Sequence, residues 1–190
     1  MTYDPKEIES AALWRWEGED YYVLSYPPKR RRTIATDFIL HFKNNGEEAV
    51  TLAALLILAA IRKIEPVLKK MQCKYIVSIP PHAAGMSNVP CELVCHVVAQ
   101  EFNWIKHLPN ALLRTKSVAK AAYALPWDRP TYDDHRESIK YASTVRDKDA
   151  AFILLDDVRT KGSVSSACRD ILIEKAHCKH VIGLFLGRTE

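Results

Sequence analysis

The sequence predicts an α/β fold, and three stretches carry that reading. At the close of the chain, Ala151-Phe152-Ile153-Leu154-Leu155 is wholly apolar, a helix-forming segment runs from about Val164 to Lys175, and His180 to Leu186 is apolar again. Strand, helix and strand at this spacing make a βαβ unit whose strands are buried in a parallel sheet. Upstream, Tyr75-Ile76-Val77-Ser78-Ile79 is a short strand stopped by Pro80-Pro81. A long helix from about Glu47 to Met71 precedes it, acidic at its start and lysine-rich at its end, which complements the helix dipole.

Taken in order, residues 1–35 are mixed and read as an extension to a core at 36–190. Tyr21 to Leu24 is a short strand candidate, and Pro27-Pro28 a break. Pro66 predicts a kink or a separate final turn in the long helix. After the Tyr75 strand, a helix from about Pro90 to Phe102 returns the chain, and Leu112-Leu113-Arg114 forms a further strand candidate. Residues 115–135 have no sustained periodicity, the mark of a mobile functional loop.

Composition bounds the function. With 190 residues and 48% hydrophobic content, the chain can bury one sizeable core. A net charge of +4 suits anionic ligands but is mild for a nucleic-acid binder. The one concentrated run, Lys29-Arg30-Arg31-Arg32, reads first as solvated surface. Residues 1–10 are polar and acidic, unlike a signal peptide. Ala49 to Ile61 is too short to cross a bilayer. Five cysteines without a small secreted framework favour reduced thiols, so the expectation is a cytoplasmic protein with no membrane partner.

The chemistry concentrates after the Phe152 strand, in Asp156-Asp157-Val158-Arg159-Thr160-Lys161-Gly162-Ser163. Open α/β sheets bind ligands at this edge. Gly162 permits a tight turn, and the amides from Thr160 to Ser163 precede a helix whose N-terminus attracts phosphate. Thr160 and Ser163 add hydroxyls, and Lys161 a positive charge. Two carboxylates before such a nest repel phosphate unless they face another part of the ligand, and ribose hydroxyls fit that part. In the competing reading, the aspartates merely end a strand and Ser163 caps a helix.

The segment resembles the phosphoribosyl-pyrophosphate (PRPP) loop of type I phosphoribosyltransferases, an apolar strand followed by Asp-Asp-x-x-Thr-Thr-Gly-x-Thr. Lys161 and Val164 replace two of its threonines. A wider likeness, to the ComF-like branch, covers about residues 36–188. Phe38 to Gly46 looks like that branch's segment before its first long helix, and Ile76 to His82 like its strand and pyrophosphate loop. Where basic residues commonly follow the His there, Ala83-Ala84-Gly85 stands here; no Cys precedes Cys73 to form the branch's zinc ribbon.

The resemblance implies a Rossmann-like central parallel sheet flanked by helices, with residues 1–35 as a small hood over the acceptor. It implies that Asp156 and Asp157 are catalytic and hold the ribose 2′ and 3′ hydroxyls, while Thr160, Lys161, Gly162 and Ser163 wrap the 5′-phosphate. Pro81, His82 and Ala83 become the pyrophosphate loop, and Arg114, Lys116, Lys120 and Arg136 belong to a flexible loop. The activity implied is transfer of ribose 5-phosphate from PRPP to a nitrogenous acceptor with release of pyrophosphate. Mg²⁺ accompanies PRPP, with no direct protein ligand assigned. Dimers are common in this fold, which leaves a homodimer open. A non-catalytic sensor of PRPP or a nucleotide ranks second, and a nucleic-acid module using residues 29–32 third.

Other signals weigh less. Cys91 and Cys95 with His96 lie one helical turn apart and could hold zinc only with help from Cys178, His177 or His180; buried, inert thiols are the plainer reading. Asp133-Asp134-His135 reads as a solvated loop before a catalytic cluster. Trp104 reads as core, and Trp127 as part of the mobile loop.

Overall fold

The computed structural model describes residues 12–26, 33–120, 125 and 127–189. The elements are β1 (Ala12–Glu17), β2 (Asp20–Tyr26), α1 (Ile34–Lys43), α2 (Glu47–Lys70), β3 (Cys73–Ser78) and α3 (Val89–Glu101). They continue with β4 (Lys106–His107), β5 (Leu112–Arg114), α4 (Tyr132–Ser138), β6 (Ile139–Tyr141), β7 (Ala151–Arg159), α5 (Ser163–Lys175) and β8 (His180–Thr189). Six strands form one sheet in the order β1-β2-β8-β7-β3-β4, and every neighbour pair except β1–β2 is parallel. The class is α/β, with helices flanking a mixed, mostly parallel sheet.

Strand alternation divides the core in two. Ile76, Ile153, Leu155, Ile182 and Leu184 face α2 and α3, with Ile57, Ile61, Cys95 and Val98 packed on them. Val77, Phe152, Leu154, Val181 and Phe185 face the other way, onto Cys168, Ile171 and Leu172 of α5. Both faces of β7 are covered, which explains its unbroken apolar run.

This arrangement creates a switch point. The chain leaves β3 through α3 and returns at β4 on one side, whereas it leaves β7 through α5 and returns at β8 on the other. Since β3 and β7 are neighbours, the crevice beyond their C-terminal ends is where such sheets bind ligands.

Several expectations are corrected. The boundary at 35/36 falls inside α1. Residues 12–26 are not a separate hood: β1 and β2 extend the main sheet, because β2 pairs with β8 from Asp20↔Gly183 to Tyr26↔Thr189. α2 runs unbroken through Pro66, whose ring removes one amide donor without ending the helix. β7 continues beyond Leu155 to Arg159, because β8 is long enough to pair with Asp156, Val158 and Arg159. β5 lies outside the main sheet, in an antiparallel pair with β6. The end of the expected loop at 115–135 is helical, since Thr131 and Asp134 form a capping box that starts α4. The basic run Lys29–Arg32 lies outside the described residues. Among those described, no helix is long and apolar enough to cross a membrane.

Candidate functional site

The two strand ends at the switch point are joined by Ile79 N donating to Leu155 O at 2.9 Å. Just beyond, still within β7, sit Asp156 and Asp157, both half-buried. Asp157 N donates to Asp156 Oδ1 at 2.9 Å, and Lys43 Nζ at the end of α1 lies 3.3 Å from Asp157 Oδ1. Asp156 borders a small apolar recess lined by Phe42, Ile57, Cys91, Val94, Leu155 and Leu186. That burial, with the Asp157 carboxylate beside it, pushes the Asp156 carboxyl well above the usual carboxylate range. The shift favours the protonated Asp156 carboxyl, which can donate as well as accept a hydrogen bond.

The loop after β7 turns sharply at Gly162, whose φ of +83 lies in the left-handed region. A Cβ there would come within 2.8 Å of Arg159 Nη2 and 2.9 Å of Nε, so a side chain would require the guanidinium to shift. Gly162 is the N-cap of α5 and has no side chain to cap it; Ser165 Oγ instead donates to Gly162 O at 2.9 Å. The competing expectation that Ser163 caps this helix is not met, for Ser163 is its first residue. No acidic residue stands in the first turn, so the positive end of the dipole is uncompensated. Thr160 and Lys161 are exposed.

The loop after β3 is different in kind. His82 O accepts from Val118 N at 2.9 Å, Ser117 Oγ from Ala84 N at 2.9 Å, and Arg114 O from Gly85 N at 3.1 Å. Arg114 itself is 3% exposed. Its Nε donates to Pro81 O at 2.5 Å, its Nη1 to Ser138 Oγ at 2.5 Å, and its Nη2 meets His135 Nδ1 at 3.3 Å. Arg114 is thus a buried clasp fixing the expected pyrophosphate loop, where it was expected in a flexible loop. Arg136 pairs with Glu174 of α5. Lys116 and Lys120 are exposed. Burial, then the Arg114 charge, push His135 down to about 4, leaving it neutral. Asp133, Asp134 and His135 lie in α4 and not in a loop, and Asp134 serves its capping box.

Cys91 and Cys95 are buried, with thiols pushed well above their ordinary value by burial. Among the described residues, no three His, Cys, Asp or Glu side chains form a metal-holding group. Trp104 packs partly buried against the core, and Trp127 is exposed.

Three groupings escaped the sequence reading. Lys43 meets Asp157 across 114 residues of chain, a distance no local pattern signals. Glu92 takes Ser78 Oγ at 2.5 Å and His107 Nε2 at 2.8 Å; burial alone would raise its carboxyl, but these hydrogen bonds outweigh it and hold the group below its ordinary value. Asp20 joins Arg159 and Arg169, each at 2.7 Å. No protein-family model matches the chain, and no curated protein matches it.

Proposed function

We propose that the protein is a phosphoribosyltransferase of the type I fold, moving the ribose 5-phosphate of PRPP to a nitrogenous acceptor. The observation that carries this reading is the uncapped N-terminus of α5 standing just past two adjacent aspartates, at the switch point between β3 and β7. The helix end and Gly162 loop suit a phosphate, and the Asp156–Asp157 pair suits the ribose diol. In the reaction the bond from the anomeric carbon to pyrophosphate breaks and a bond to the acceptor nitrogen forms, while that nitrogen's proton passes to solvent. The protein's share is to orient the sugar and stabilise charge.

Mg²⁺ would accompany the pyrophosphate, with Asp156 and Asp157 as carboxylates that could assist it; among the described residues no three side chains form a metal-holding group. When bound it neutralises pyrophosphate charge.

A second reading, a non-catalytic PRPP binder, is favoured by the β3 loop. Ala83 and Ala84 stand where basic side chains would grip pyrophosphate, and the loop is tied to residues 114–118. Pyrophosphate release, measured with PRPP, Mg²⁺ and a panel of nitrogenous acceptors, separates the two. Turnover that disappears in Asp156→Asn/Asp157→Asn supports the transferase; turnover unchanged in that variant refutes it. Saturable PRPP binding without release supports the binder.

A further inference from the structure

Asp20 opens β2 and is 2% exposed, a buried charge in the N-terminal part of the sheet. Its oxygens divide between arginines from two other elements: Oδ2 lies 2.7 Å from Arg159 Nη1 and Oδ1 2.7 Å from Arg169 Nη2. Gly183 of β8 makes room for it, since a Cβ at that position would collide with the Asp20 carboxylate. The Tyr22 hydroxyl takes a further hydrogen bond from the same Arg159 Nη1. One end of the guanidinium is therefore anchored. Its opposite edge, Nε and Nη2, packs against Gly162, and Nε is buried without an acceptor among the described residues.

A buried ion network gives little net stability, because desolvation of the charges offsets their attraction. The unpaired Nε weakens it further. What such a network does supply is fixed geometry, and here the fixed group underlies the turn that starts α5. We propose that Asp20 is a positioning residue for the 160–163 loop, acting through Arg159 on Gly162. The N-terminal strand thereby sets the shape of the phosphate grip. This inference rests on the sugar-phosphate reading of that loop.

The test uses the full chain and ribose 5-phosphate, which carries the phosphate without the pyrophosphate. Asp20→Asn keeps the side chain's size and removes its charge; Arg159→Lys keeps a charge and removes the fork. Each is expected to weaken binding about tenfold, and the double variant no more than either alone, since the two residues act in series. In the ligand-free protein both should speed hydrogen exchange at amides 161–165 while leaving β3 and α3 unchanged. A merely structural role would accelerate exchange throughout. Wild-type affinity in Arg159→Lys, or losses that multiply in the double variant, overturns the proposal. If Asp20→Asn does not fold, Arg159→Lys decides, its side chain being 24% exposed. If the wild type binds no ribose 5-phosphate, the sugar-phosphate reading falls instead, and unchanged exchange at 161–165 in the variants then overturns the positioning role.

Discussion

The two loops at the switch point are built on opposite plans. The one after β7 is open: a glycine N-cap, an uncapped helix end and exposed Thr160 and Lys161. The one after β3 is closed on the protein itself, with its carbonyls and amides spent on residues 114–118 and on the Arg114 clasp. An open loop keeps its backbone donors for a ligand, whereas a sewn loop gives rigidity and shape. The β7 half offers an anion the uncapped start of α5, while in the β3 half the Ala84 and Gly85 amides are engaged within the protein.

The largest expected effect on stability tests the closed loop. Arg114→Ala removes three hydrogen bonds and leaves Pro81 O and Ser138 without their donor, so it should destabilise by about 2–3 kcal/mol in chemical denaturation. It should also loosen residues 81–85, seen as faster hydrogen exchange. The same clasp predicts a pH dependence. His135 titrates near 4 when folded and near its ordinary 6.5 when unfolded, so the unfolded chain binds more protons between those values. Its contribution is full above 6.5 and is lost as pH falls toward 4, with a slope approaching about 1.4 kcal/mol per pH unit. His135→Gln should flatten that part of the wild-type profile; an identical slope in both proteins contradicts the assignment.

The open loop is tested by smaller changes. Gly162→Ala forces an L-residue into the left-handed region and against Arg159, for a loss of about 1–2 kcal/mol in unfolding free energy. A stability equal to wild type would show that the turn is not held as described. Asp156 works with the opposite sign. Its folded value is raised, so the stability it gives is present below about 3.9 and lost as pH rises through the folded value. Asp156→Asn should therefore stabilise the ligand-free protein by about 1 kcal/mol at pH 7 while weakening sugar-phosphate binding. Stabilisation with retained binding would make the carboxylate a structural accident.

The open loop was also the legible one. Its strand, turn and helix are contiguous, so the apolar run of β7, Gly162 and the amphipathic α5 all show in one stretch of sequence. Residues 115–135 read from sequence as a mobile loop, yet Arg114 at their entry is held by Pro81, Ser138 and His135, contacts 21 to 33 residues away. Likewise β1 and β2 looked like an appendage, since their place in the sheet depends on β8 at the far end of the chain. α1 buries Phe38, Ile39 and Phe42 but was not separated as a helix. Local periodicity reports elements; it does not report which distant partner satisfies a buried arginine or accepts an edge strand.

The most direct measurement is calorimetric titration of the protein with PRPP and Mg²⁺, alongside Asp156→Asn/Asp157→Asn. The predicted result is saturable binding by the wild type and none detectable in a variant that unfolds as cooperatively. Equal binding by the two proteins, or no binding by a well-folded wild type, would contradict a sugar-phosphate site at the end of β7.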